Sequence, residues 1–173
     1  MAVESSTHQR ASWAVPRAVL WGALAVGVLD ITDAKLYYGV SLMRCFRGVA
    51  AGLLGRSART GGVPATLLGA LLHFFIAFVI VYTYYQASRK TPALARQALL
   101  WGPLYGIGVF FFMNYFVVPV SAAGSFDRLP WSLPFLLNGV VGQAFLVGLP
   151  SALSARVAVA VSAGRASTSL SLA

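Results

Sequence analysis

Four apolar runs, each interrupted by one or two polar residues at a similar depth, constrain this chain more than any other feature. They cover 17–38, 64–86, 97–120 and 131–155. Each is long enough to cross the hydrocarbon core of a bilayer as a helix, which takes about 20 residues. The first carries Asp30 and Asp33, the second His73, the third Asn114, and the fourth Asn138 and Gln143. A polar side chain inside such a run is costly unless it finds a partner. The pattern therefore predicts helices packed with these residues turned toward one another.

Composition agrees. Charged residues make up 10% of the chain against 58% hydrophobic ones, where a soluble domain carries about 25% charged. Too few polar groups remain to coat a globule, so the lipid bilayer is the expected solvent. The fold class this implies is all-α, an integral-membrane four-helix bundle forming a single domain over 13–160. A disordered polar tail is expected over 1–12 and a flexible one over 161–173. The net charge of +9 comes from basic residues at the ends of the runs, as a topology signal and a contact for anionic headgroups. The basic stretches lack the interleaved aromatics that stack bases, so nucleic acid is not an expected partner.

Arg10 and Arg17 followed by the apolar Ala18–Leu29 look like the start of a signal peptide. No small-residue cleavage site follows, and the segment is read as a retained first helix. With four spans both termini share one side. Placing them in the cytoplasm puts seven basic residues inside and six outside, a narrow vote for that orientation.

Between the first two spans, residues 41–59 carry too much charge to cross. Leu42, Phe46, Val49 and Leu53 share one helical face while Arg44 and Arg47 fall on another, the pattern of a helix lying in the membrane interface. Small residues predict where helices approach closely. Gly22 and Gly27 mark the first span, Gly48 and Gly52 the interfacial helix, Gly69 the second span, and Gly102 and Gly106 the third. On the second span Thr66, Gly69, Ala70, His73, Ala77 and Tyr84 form a mostly small face, set against bulky Phe74, Phe75, Phe78, Val79 and Tyr82. Pro134 and Pro150 predict bends in the fourth span. Tyr37, Tyr38, Tyr82, Tyr84, Tyr85, Trp13, Trp101 and Trp131 cluster at helix ends as interface anchors.

At about 1.5 Å per residue, Asp30, His73, Asn114 and Asn138 all lie roughly 9–14 Å below the same end of their helices. One reading is a hydrogen-bonded plug that fixes helix register. The other is a polar site for a proton, an ion or a small polar molecule, with Asp30 and His73 as a pH-sensitive couple. Asn114, Asn138 and Gln143 read as structural glue in either case. Enzyme chemistry finds little support. Asp30, Asp33 and His73 make a thin metal set without a second histidine, and His8 lies in the polar tail, away from any haem-binding position. No nucleophile elbow or phosphate-binding glycine loop occurs. Cys45 is the only cysteine, which excludes an internal disulfide and reads as a small buried side chain.

Three segments together, Ala50–Gly55 (AAGLLG), Leu67–Ala77 (LLGALLHFFIA) and Phe112–Ala122 (FMNYFVVPVSA), resemble a family of short bacterial membrane proteins of unknown function. A more distant similarity is to YagU-like inner-membrane proteins, which also have four hydrophobic segments. Phe126–Trp131 (FDRLPW) looks like their loop before the last helix. The histidine that family carries early in its last helix is absent here, where Asn138 and Gln143 stand. The resemblance implies a bacterial inner-membrane location and supplies no activity. Two functions follow as expectations: a non-enzymatic structural or accessory membrane protein, or a small transporter or proton- or ion-translocating protein using Asp30 and His73. The second would need a homo-oligomer or a complex partner, since four helices enclose little space.

Overall fold

The computed structural model of the protein describes residues 2–124 and 132–171, with side chains described over 14–124 and 132–162. Helix α1 (Ala2–Tyr38) is followed by α2 (Leu42–Leu54), a 3-10 turn (Gly55–Thr60), and α3 (Gly62–Lys90). A short α4 (Pro92–Arg96) leads into α5 (Ala98–Phe112), a π turn (Met113–Val117) and α6 (Val118–Val120). Last come α7 (Leu133–Gly142), a second π turn (Gln143–Gly148) and α8 (Leu149–Ser171). No strand occurs among the described residues.

Four of these helical stretches are long and apolar enough to cross a membrane: span 1 (Ala14–Tyr38), span 2 (Gly62–Lys90), span 3 (Ala98–Val120) and span 4 (Leu133–Ser162). The expected boundaries shift at both termini. α1 runs on from Ala2 where a tail was expected over 1–12, and α8 continues to Ser171 where 161–173 was read as flexible. Neither segment holds a proline, and only Gly164 interrupts them, so nothing in the backbone chemistry stops a helix already nucleated by the adjacent span. The expected start of the last span at Trp131 lies outside the described residues.

The outward faces are strongly apolar. Leu71 and Leu99 are each 72% exposed, and Trp21, Phe75, Phe116 and Leu137 also point away from the bundle. An apolar surface this continuous is a liability in water and an asset in lipid. Inside, the core is built from small residues: Ala23, Ala77, Ala98, Ala152, Ala155 and Ala158 are buried beside Val26, Val81 and Val147. Without a hydrophobic drive between helices in lipid, close backbone approach is what holds spans together, and alanine and glycine permit it.

Span 4 is the hub, packing against spans 1, 2 and 3. It runs antiparallel to span 1, because residue numbers fall on one as they rise on the other. Ala18 and Gly22 meet Ser154, Asp30 meets Gln143, and Asp33 meets Asn138. The contact with span 3 is tighter still. A methyl group on Gly106 would collide with the Gln143 carbonyl, and one on Gly148 with the Gly102 carbonyl.

Both π turns end one residue before an X-Pro step: Val118 N–H bonds to the Met113 carbonyl ahead of Pro119, and Leu149 N–H to the Ala144 carbonyl ahead of Pro150. A proline ring crowds the carbonyl four residues back and offers it no N–H. Wider winding just upstream accommodates that defect, so the bends expected from Pro150 take the form of a π turn.

Between spans 1 and 2 the chain folds α2 across the bundle end, with Gly39 (φ 62°) turning out of α1 and Gly62 (φ 62°) turning into α3. Both are left-handed positions that favour glycine. The expected glycine stripe does not do the docking. Gly48 faces open space, and a Cβ added at Gly52 would stand no closer than 3.8 Å to its nearest neighbour, Ser121. Ala50 and Ala51 are buried instead, and the Phe46 carbonyl lies against Gly69 of span 2. The end of span 3 joins this corner through the Ala122 N–H, which donates to the Gly52 carbonyl at 2.8 Å. Cys45 is half-buried here. Burial pushes its thiol up, against the opposing pull of a backbone hydrogen bond and of Lys35.

Three hydroxyls tie spans to neighbouring carbonyls: Tyr84 to Leu94 (3.0 Å), Tyr105 to Ile80 (2.8 Å) and Ser154 to Ala18 (2.7 Å). Tyr84, expected as an interface anchor, is 2% exposed and belongs to the core. Tyr84→Phe is expected to cost about 1 kcal/mol in a detergent unfolding titration, the usual price of one buried hydrogen bond. Tyr37→Phe, at an exposed helix end, should leave the midpoint unchanged.

Candidate functional site: a polar seam between spans 1 and 4

Asp30 and Asp33 are three residues apart on α1 and so share a face. The Asp30 carboxylate accepts a hydrogen bond from Gln143 Nε2 at 2.6 Å, and the Asp33 carboxylate one from Asn138 Nδ2 at 3.1 Å. All four side chains are partly buried. Asn138 and Gln143 are five apart, a spacing that does not share one face of a regular α-helix. The longer glutamine side chain and the change to π winding at Gln143 accompany its reach to Asp30. Gly142 makes room for the second carboxylate, since a Cβ there would stand 3.1 Å from Asp33 Oδ2.

Asp30 and His73 lie close enough to interact electrostatically, as expected of the couple, but their hydrogen bonds go to separate partners. His73 is buried, and its Nε2 lies 2.8 Å from the Gly27 carbonyl, one turn before Asp30 on span 1. A carbonyl can only accept, so Nε2 carries the hydrogen and donates. The ring edges meet Phe74 (5.3 Å) and Phe46 (5.9 Å) in T-shaped contacts. Gly27 opens the space, because a Cβ there would strike the Phe74 ring. His73 thus fastens span 2 to span 1 from within an aromatic box. Lys35, one turn or so beyond these carboxylates, is exposed, and both carboxylates take amides.

Asn114 does not join the seam. Its Nδ2 donates to the Phe110 carbonyl of its own helix at 2.8 Å, where the α ladder yields to the π turn at Met113. Helix ends fix the depth of a residue but not the direction it faces, and this is how one expected polar layer becomes two pairs, a histidine staple and a local cap. Every buried side-chain nitrogen and oxygen among the described residues has a hydrogen-bond partner.

Seam residues missed by sequence reasoning are Gly142 and Ser154. Ser154 sits three after buried Ser151 and four before buried Ala158, a periodicity that could have revealed it. Gly142 carried no signal beyond its place beside Gln143.

Chemically, the seam offers two carboxylates with neutral amide donors. Among the described residues no set of three or more His, Cys, Asp or Glu side chains converges as a metal site. An open groove of about 550 Å³ lies on the outer face of span 3, lined by Gly108, Phe111, Phe112, Tyr115 and Phe116, and it includes none of the seam residues. Comparison with protein-family models, with curated proteins and with solved structures finds no match to this chain.

Proposed function

We propose that this multi-pass helical protein acts non-enzymatically, as a structural or accessory membrane component whose polar seam locks spans 1 and 4 in register. The observation that carries this reading is the pairing of each carboxylate with its own amide across the seam, Asp30 with Gln143 and Asp33 with Asn138. Partners spent on one another are glue, and in lipid such bonds set which helices meet and at what register. The resemblance of its segments to short bacterial inner-membrane proteins supports placement in that membrane, and the seven-to-six count of basic residues supports cytoplasmic termini. Its basic helix ends and apolar faces suit a bilayer, with a second copy or a complex partner covering part of the bundle.

One observation favours a second reading, a small proton- or ion-translocating protein. Asp30 and Asp33 lie a turn apart and receive only neutral donors in these pairs, so ionised forms would need compensation from a proton, a cation or nearby His73. Proteoliposomes loaded with a pH-sensitive dye separate the two. The structural reading expects proton leak indistinguishable from empty liposomes, together with reduced detergent stability for Asp30→Asn. Flux that Asp30→Asn abolishes at unchanged stability would overturn it in favour of translocation.

A further inference from the structure

We propose that the bundle end carrying α2 is a seat for anionic phospholipid headgroups. Five basic residues gather on the elements that join spans 1 and 2: Lys35 at the end of α1, Arg44 and Arg47 on α2, and Arg56 and Arg59 on the 3-10 turn. Lys35, Arg44, Arg56 and Arg59 are exposed, and Arg47 is half-buried with its Nε donating to the Met43 carbonyl at 3.3 Å. With three residues per turn, a 3-10 helix stacks Arg56 directly over Arg59.

Among the described side chains no carboxylate pairs with them. No acidic residue occurs between Asp33 and Asp127, and the carboxylates of Asp30 and Asp33 are bound to amides inside the seam. At the far end Arg89 donates to Gln86 and lies over the Tyr85 ring. Guanidinium groups match phosphate oxygens with paired, charge-assisted hydrogen bonds.

Lipid is the occupant because the same helix also leaves large apolar side chains uncovered. Leu42, Met43, Leu53 and Leu54 are exposed on α2 while small Ala50 and Ala51 do the packing. A helix with arginines and unburied leucines, lying where the spans leave the hydrocarbon, fits the boundary between acyl chains and headgroups. An acidic soluble protein would answer the charge but not the leucines. α2 also touches span 2 through Gly69 and the end of span 3 through Ala122. Headgroup binding there should therefore stabilise the whole bundle.

The test uses the full chain in nanodiscs of phosphatidylcholine alone or mixed with an equal part of phosphatidylglycerol. Phosphatidylglycerol is expected to raise the thermal midpoint of the wild type and to be retained in native mass spectrometry. The fourfold variant Arg44→Gln, Arg47→Gln, Arg56→Gln, Arg59→Gln should retain it about tenfold less or worse, as expected for headgroup attraction per basic residue. Arg89→Gln with Arg96→Gln, at the opposite end, should retain it as the wild type does. Undiminished retention by the fourfold variant, or equal loss in the far-end variant, overturns the assignment. Independently of any variant, retention by the wild type must fall as salt rises; insensitivity to salt would also overturn it.

Discussion

Gly106→Ala is expected to destabilise the bundle by about 3 kcal/mol or more, at the severe end for a single added methyl group. The new Cβ would meet the Gln143 carbonyl and stand 2.9 Å from the Ala144 Cα. Both obstacles are backbone, so no rotamer change relieves them, and span 3 must move away from span 4. That movement would also loosen the opposing contact of Gly148 with Gly102. Two residues further on, Gly108 has nothing within 4 Å of an added Cβ. Gly108→Ala should be neutral or stabilising by about 0.5–1 kcal/mol, the gain in helix propensity. Equilibrium unfolding in mixed detergent micelles checks both. Equal behaviour of the two variants would mean that spans 3 and 4 do not meet where Gly106 and Gln143 are placed.

Removing the amide donors should show a comparable contrast. Gln143→Leu strands the Asp30 carboxyl beside leucine, and an unsatisfied buried polar group costs about 1–3 kcal/mol, more if charged. Asn114→Leu removes only a bond to its own helix, and should cost less than about 0.6 kcal/mol, near the average for polar contacts within membranes. The same unfolding assay compares them. A penalty for Asn114→Leu equal to that of Gln143→Leu would return Asn114 to a shared polar layer.

How much of this was legible beforehand divides by the kind of information required. Run length was enough for the four membrane-length helices, and the charge pattern was enough to leave 41–59 out of the candidate spans. Helical periodicity alone placed Gly69, His73 and Ala77 on one inward face of span 2, where they are buried. Partner choice was not legible. Counting residues from helix ends puts Asp30, His73, Asn114 and Asn138 at one level, yet level leaves the azimuth of each side chain open. The azimuth follows from span 4 lying between its neighbours, a tertiary fact. Two local details were hidden for a similar reason. Prolines announce a break in the ladder, but whether the break becomes a kink or a π turn depends on the surface the next turn must meet. Gly48 and Gly52 offered a docking stripe, but α2 approaches span 2 through Ala50, Ala51 and the Phe46 backbone because Gly69 opens the space there.

The claim on which the rest depends is that Asp30 and Gln143 hold spans 1 and 4 together by bonding directly to each other. A double-mutant cycle built from Asp30→Leu, Gln143→Leu and the combined variant, unfolded from the same micelles, tests it most directly. The account predicts a coupling of about 1 kcal/mol, between the average and the maximum for hydrogen bonds within membranes, so that the combined variant loses less than the sum of the two single changes. Strictly additive losses would contradict it.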